Sequence, residues 1–453
     1  MDDTGLFEDV FCIPHKGKCI IYLPLRGILL LGNAKFVNLL CRARLGDKGA
    51  LKRLNIDQKF INEFFASKRQ LDYLRRPRPL TSFQPTSVSL FLTNDCTLRC
   101  RYCYAEGGSN TLLMPWHVAS GVLDNVLGHV LATRSPEMTV HFHGGGDVSA
   151  AWPLLVRTRE YLSKLTAPHH IKVRTSVGLN GILNREQRDW IVRNIDSATV
   201  SIDGPAHIHN LQRPLANGGP SLSFVTDTLE AFDASSYSYG IRCTVTDISV
   251  THLEEIVSYF CDRFGTKRIK VEPMYPRGRA ASSQLLKPPS AMAFIRQFRR
   301  AHKVALDAGR ELVYSGARLN VLSNVFCQAA GESCAITPSG QITSCYEVLN
   351  SKDPLSKMFF YGYFDLNSGR LVVDEERRRY LFNLSVLDKR YCANCFCKWH
   401  CAGDCPVKVL HARSTGSHSM TDRCYINREL TKDQLIERLN GDKMERSQGG
   451  AER

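Results

Sequence analysis

Along this chain, short apolar or alternating runs take turns with longer stretches in which apolar side chains return every third or fourth residue. The first spacing is that of a strand and the second that of a helix. Strands are expected at Val10–Ile13, Lys18–Leu23 and Gly27–Leu31, separated by the turn formers Pro14, Gly17, Pro24 and Gly27, and helical periodicity follows over Ala34–Arg44, Lys48–Leu54 and Lys59–Ser67. From Val88 the two spacings alternate regularly. Strands are expected at Val88–Thr93, Thr139–His143, Ile171–Ser176, Thr199–Ile202, Gly240–Val245 and Arg268–Glu272. Helices include Pro115–Thr133, Arg185–Asn194, Ser223–Phe232, His252–Phe264 and Ala291–Ala308. Such alternation means an α/β fold whose parallel sheet has helices outside. The Arg75–Pro79 stretch, with prolines at 77 and 79, breaks both spacings, so residues 73–86 read as a linker between residues 1–72 and a sheet domain over 87–320. A cysteine-rich domain is expected over 321–438 and a polar, disordered tail over 439–453.

Composition adds two facts to this outline. Hydrophobic residues make up 43% and charged residues 23% of the 453, as in ordinary soluble chains; no apolar run is long enough to cross a membrane, and the acidic start suits a cytoplasmic protein without a membrane partner. The net charge is +15, which points to an acidic partner, either nucleic acid or an acidic peptide. Seventeen cysteines in such a chain argue for metal rather than disulfides. Among those outside the recognisable sets, Cys12, Cys19, Cys41, Cys243 and Cys261 read as small buried side chains, and Cys397 has no assigned role.

The densest chemical signal follows the first strand of the alternating region. Cys96, Cys100 and Cys103 are spaced by three and then two residues, and the next cysteine is Cys243. Three thiolates on one loop can hold an iron–sulfur cluster while leaving one iron open to a further ligand; a zinc knuckle would want a fourth protein ligand nearby. Cys-x3-Cys-x-Tyr-Cys resembles the signature of the radical S-adenosylmethionine (radical SAM) enzymes. That resemblance implies an open partial (β/α)6 barrel, S-adenosylmethionine chelated to the open iron, and an adenine near Tyr102. Other strand ends resemble the family too. His143-Gly144-Gly145-Gly146-Asp147 stands where the family has Gly-Gly-Glu-Pro, which implies that Gly145, Gly146 and Asp147 face the amino group of the cofactor. Asn180, Ser201, Asp203, Arg213 and Pro273 fall at further cofactor-contacting positions. His141, His143, His207 and His209 read as packing or hydrogen-bonding side chains.

Towards the C-terminus, Cys327, Cys334, Cys345, Cys392, Cys395, Cys401, Cys405 and Cys424 form a second array, enough for two four-iron clusters or, physically, two zinc sites. The region resembles the SPASM domain of peptide-modifying radical SAM enzymes. The resemblance implies one auxiliary [4Fe-4S] cluster on Cys327, Cys334, Cys345 and Cys405 and another on Cys392, Cys395, Cys401 and Cys424, making three clusters in all. In related sulfatase-maturing enzymes an aspartate base follows the third cysteine of this region. Here Tyr346 and Glu347 follow Cys345, which speaks against formylglycine formation and makes these two the candidate catalytic residues.

The order of strands and helices in residues 1–72 resembles the winged peptide-recognition domain of enzymes that modify ribosomally made peptides, where a leader peptide adds a strand to a sheet edge. The reading is a maturase that abstracts hydrogen from a precursor peptide with an acidic leader and installs a thioether or carbon–carbon cross-link, with a ferredoxin or flavodoxin as electron donor. A radical SAM dehydrogenase or epimerase acting on a small molecule is the rival within enzymes. A zinc-binding nucleic-acid or scaffold protein is the rival outside them, and it leaves the alignment of cysteines, glycines and Ser201-Ile202-Asp203 at successive strand ends unexplained.

Overall fold

The computed structural model describes residues 4–7, 9–66, 69–331, 333–414 and 422–448. Its contacts divide the chain into one unit of residues 1–79, 316–327 and 383–453, and another of residues 80–315 and 328–382. The stretch expected as a single cysteine-rich domain is therefore shared between two units.

In the first unit, strands β1 (Thr4–Phe7), β2 (Val10–His15), β3 (Lys18–Leu23) and β4 (Ile28–Gly32) form an antiparallel sheet in sequence order. Lys16 and Gly17, both at positive φ, make the two-residue turn that joins β2 to β3. Asn33, Asp47 and Asp57 start the three helices Ala34–Arg44, Lys48–Leu54 and Gln58–Phe65, each side chain accepting from a backbone N–H of its first turn. Val10, Ile21 and Leu23 pack with Val37, Leu40, Ala43, Ala50 and Ile61 of these helices. Phe11, Ile13, Ile20 and Tyr22, the alternate positions, pack instead with Phe396, Cys397, Cys401 and Leu435. A sheet covered on both faces explains why its strands read as continuous apolar runs, and it joins the first residues to the cysteine-rich segment.

Three expectations change here. Cys12 and Cys19 are joined by a disulfide, not left as separate buried thiols, because adjacent strands set their Cα atoms 5.7 Å apart. The first half of the expected linker is packed: Leu74 is buried and Arg75 pairs with Asp9 at 2.9 Å. Residues 439–448, expected as disordered, continue the helix Asp422–Gln448. Leu430 and Leu435 bury its earlier turns, and extending an existing helix avoids the cost of nucleation; residues 449–453 lie outside the described residues.

The second unit is built on one sheet. Strands β5 (Ser87–Leu90), β6 (Glu137–Phe142), β7 (Lys172–Leu179), β8 (Ser197–Ser201), β9 (Tyr239–Val245) and β10 (Arg268–Pro273) are the six expected, all parallel. A short parallel strand, β11 (Glu311–Val313), follows on the β10 side, while β12 (Ala335–Ile336), β13 (Gln341–Thr343), β14 (Phe360–Asp365) and β15 (Arg370–Val373) extend the sheet beyond β5. This is an open partial barrel. Helices Trp116–Thr133, Arg185–Asn194, Leu222–Ala234, Leu253–Arg263 and Ala291–Asp307 match the periodic stretches. Trp152–Thr166 and Ala206–Gln212 are helical as well, beyond those expected. Among the described residues, no helix is long and apolar enough to cross a membrane.

Strand register sorts the residues of this sheet. Val88, Val140, Val177, Val200, Ile241 and Ile269 are buried. At alternate positions, Ser89, His141 and Ser176 stand in one row, and Ser201, Arg242 and Lys270 in another. Alternate residues point to opposite faces, so one face is apolar and the other polar.

Candidate functional site

The three cysteines sit immediately beyond the C-terminal end of β5, where parallel barrels place their chemistry. Their loop is held by its backbone. Arg99 N–H donates to Pro214 O at 2.8 Å and Arg101 N–H to Gln212 O at 2.9 Å, while Arg279 reaches Cys100 O at 2.8 Å through its guanidinium. The thiols share one buried space. Burial pushes Cys96 up to about 11, with Asp147 and Cys103 adding repulsion. Cys100 is pushed up to about 12 by burial, opposed by Arg213 and reinforced by Cys103 and Cys96. Three neighbouring thiols, of which Cys96 and Cys100 resist ionisation, suit a cation cluster, which would displace their protons and supply the missing positive charge.

Gly146 explains why the next strand end is glycine-rich. A Cβ there would lie 1.8 Å from Asp95 O. With Gly146 N–H donating to Thr93 O and Asp147 N–H to Asp95 O, both at 2.8 Å, the turn packs directly on the cysteine loop. Gly145, at φ +68, would likewise place a Cβ 2.8 Å from Thr93 O. Buried Asp147 accepts from Asn180 N–H at 2.6 Å and Ser149 N–H at 2.9 Å, and Asn180 Nδ2 donates to Thr97 Oγ1 at 2.8 Å, 3.7 Å from Cys96 Sγ. Burial raises the Asp147 carboxyl. Strand ends two and three are thus wired to the cysteine loop.

The fourth strand end supplies a charged network. Asp203 accepts from Tyr102 Oη–H at 2.6 Å, Gln212 Nε2 at 2.8 Å and Thr244 N–H at 3.0 Å; Arg213 Nη1 donates to Tyr102 Oη at 2.6 Å. All are held against the loop carrying Cys100. Burial raises the Asp203 carboxyl despite Arg213. Arg213 Nε and Asn94 Oδ1 are buried and lack hydrogen-bond partners among the described residues. Beside three thiols, an unsatisfied donor and an unsatisfied acceptor fit a polar, zwitterionic cofactor. Ser201 ends β8 opposite Arg242, and Pro273 ends β10 next to buried Glu272, which accepts from Ser315 Oγ at 2.9 Å.

On the polar face, Tyr346 bonds through its hydroxyl to Ser89 Oγ. Its ring meets Phe91 edge-on at 5.4 Å and His143 at 5.2 Å. Glu347 lies 3.8 Å from Arg277, which also binds Asp353. Tyr346 therefore stands against the first two strands, whereas Glu347 faces the segment that follows β10. Burial, with Arg242, His141 and Lys270 nearby, lowers His143 to about 4. Sequence reasoning missed Arg242, whose charge acts on Tyr104 and His143. The clue was its register opposite Ser201 on the next strand.

Of the C-terminal thiols, Cys392, Cys395, Cys401 and Cys424 lie close enough to perturb one another's ionisation, mainly atop a burial effect that pushes Cys392 and Cys424 up to about 12. Cys397 belongs to the same group: burial, a hydrogen bond with Cys395 and the nearby Cys401 all push its thiol up. Asn427 Nδ2 donates to Cys401 Sγ at 3.1 Å, and Arg423 locks Asp404 with two bonds of 3.0 Å. Cys327 and Cys405 belong to this first unit, whereas Cys334 and Cys345 belong to the second.

No protein-family model matches the chain. The cysteine-type anaerobic sulfatase-maturating enzyme of Clostridium perfringens is 26% identical over 174 residues, 38% of this chain and 47% of that protein. This chain thus spans about half the length of that relative. The radical SAM cyclopropyl synthase TigE of Paramaledivibacter caminithermalis is 18% identical over 383 residues, 76% of this chain and 75% of that protein. Among solved structures, native anSMEcpe with bound AdoMet and Kp18Cys peptide superposes with a TM-score of 0.61 at 19% identity, covering 78% of this chain and 99% of that one. That likeness is one of fold.

Proposed function

For a chain with the radical SAM fold and a SPASM-type cysteine region, we propose the activity of a cytoplasmic peptide maturase that removes hydrogen from a ribosomally made precursor and installs a thioether or carbon–carbon cross-link. The observation that carries it is the convergence of Asp147, Asn180, Asp203 and Arg213, from three strand ends, on the loop of Cys96, Cys100 and Cys103. These cysteines would hold the first cluster, and Tyr102, Gly145, Gly146, Asp147, Asn180, Ser201, Asp203, Arg213 and Pro273 would surround S-adenosylmethionine. When bound and reduced by a ferredoxin or flavodoxin, the pair supplies a carbon-centred radical able to take hydrogen from an unactivated carbon, which no side-chain base can do.

The chain's own residues position and exclude. In the Asp203–Arg213–Tyr102 network the two charged groups are buried and both bond the Tyr102 hydroxyl, so it holds the cysteine loop in place. Tyr346 and Glu347 accept a proton or electron from the substrate on the polar face. The relative's sulfatase-maturating activity is not carried over, since Tyr346-Glu347 replaces the aspartate at the base position. Cys392, Cys395, Cys401 and Cys424 take one auxiliary cluster and Cys327, Cys334, Cys345 and Cys405 the other, giving three [4Fe-4S] clusters and an exit for the surplus electron. Residues 1–72 bind an acidic leader peptide.

Anaerobic co-expression with the short open reading frames beside the gene tests this. A peptide lighter by two hydrogen atoms per site, dependent on Cys96, is the expected product. Unchanged peptides together with turnover of a small metabolite would move the reading to a dehydrogenase.

A further inference from the structure

Away from the cysteine loop, one set of side chains is arranged as metal ligands are. His207 lies on the helix Ala206–Gln212, His252 immediately before the helix Leu253–Arg263, and Glu255 in that helix's first turn. Their ligand atoms all lie within 4.8 Å of one another. His252 Nδ1 is 2.9 Å from one Glu255 oxygen, and His207 Nε2 is 3.9 Å from the other. The two imidazoles meet at 74° with centroids 5.5 Å apart, so they do not stack face to face.

Around a tetrahedral ion with bonds near 2.0 Å, neighbouring ligand atoms stand about 3.3 Å apart. The observed spacings bracket that value, and all three side chains are about half exposed, free to adjust by a rotamer-scale movement. A surface hydrogen bond between His252 and Glu255, three residues apart, would be ordinary by itself. The third group is not ordinary, because His207 comes from a different helix to the same carboxylate. His209, its neighbour on that helix, behaves as sequence suggested: it is buried and accepts from Asp203 N–H at 3.2 Å.

We propose that His207, His252 and Glu255 bind a divalent transition-metal ion of the zinc class. Two imidazoles and one carboxylate suit zinc, nickel or copper, whereas magnesium and calcium would want more oxygen ligands. Water completes the coordination. The ion joins the helix Ala206–Gln212 to the helix Leu253–Arg263. The first of these carries His209 and Gln212, both bonded to Asp203, so the ion braces the Tyr102–Asp203–Arg213 network from outside.

Zinc ion alone is the probe, dialysed anaerobically against the iron-loaded, full-length chain so that the cysteines are already occupied. Zinc is counted by elemental analysis in wild type, His207→Gln, and the His207→Ala/His252→Ala double variant. We expect one more zinc per wild-type chain than per double variant, at least tenfold weaker retention in His207→Gln, and a zinc-dependent rise in melting temperature in wild type only. Equal iron content in the three proteins shows that the variants fold. Equal zinc on wild type and both variants, or none retained by wild type at about 100 μM, overturns the proposal.

Discussion

Replacing Gly146 by alanine isolates the contact between the second strand end and the cysteine loop. The added methyl would stand 1.8 Å from Asp95 O and 2.6 Å from the carbonyl carbons of Asn94 and Asp95, all backbone atoms that cannot rotate away. Reaching an ordinary contact of about 3.2 Å requires a displacement of roughly 1.4 Å. That shift breaks or stretches two hydrogen bonds of 2.8 Å, Gly146 N–H to Thr93 O and Asp147 N–H to Asp95 O. Two such bonds at about 1 kcal/mol each, with an overpacking cost of about 1–3 kcal/mol, give a destabilisation of roughly 3–5 kcal/mol. A misplacement of about 1 Å at a reacting centre also costs on the order of a hundredfold in rate. The assay is release of 5′-deoxyadenosine from S-adenosylmethionine with dithionite, beside iron content and melting temperature. Gly128→Ala is the control: nothing lies within 4 Å of its Cβ, and it sits in the interior of the helix Trp116–Thr133, where alanine is favoured over glycine by about 0.5–1 kcal/mol. A Gly146→Ala protein that melts with wild type and releases nucleoside within threefold of it would refute the reasoning.

Other outcomes follow from the same geometry. Changing Cys96, Cys100 and Cys103 together to alanine should remove about four of some twelve irons and abolish nucleoside release, as elemental analysis and chromatography would register. Cys397→Ser should keep its full iron, since Cys392, Cys395, Cys401 and Cys424 already make four ligands; a loss of about four irons would make Cys397 a ligand. Tyr346→Phe, which removes the hydroxyl bonded to Ser89, should leave iron content and nucleoside release without peptide near wild type while slowing peptide modification more than tenfold, about 1.4 kcal/mol or more. His143, lowered to about 4 by burial, stays neutral when folded while the unfolded residue begins to protonate near 6.5, so stability is present above that pH and falls as the pH drops toward 4. Between pH 7 and pH 5 this amounts to about 2 kcal/mol, which urea titration of His143→Asn should show as a flatter pH dependence.

Much of the second unit was legible before any coordinates. Six strands fell where the apolar spacing put them, because each strand buries one face and so carries its own alternating apolar signal. The helix Trp152–Thr166 escaped, its pattern interrupted by Arg157, Glu160 and Lys164. Of the site, the cysteines and the residues at strand ends two to four could be named from local motifs. Arg242 could not be, because a lone arginine in a strand acquires meaning only from the register that sets it opposite Ser201.

By itself, then, the sequence determined what short-range chemistry determines: which segments are strands or helices, which loop gathers three thiols, and which turns must be glycine or carry a carboxylate. Pairing between distant segments was decided only by the tertiary structure. The N-terminal sheet shares its core with Phe396, Cys401 and Leu435, nearly four hundred residues on. Cys12 meets Cys19, and His207 meets Glu255. The physical reason is the same in each case. Burial and distance depend on which apolar faces find each other, and a face that alternates along one strand does not say what will cover it.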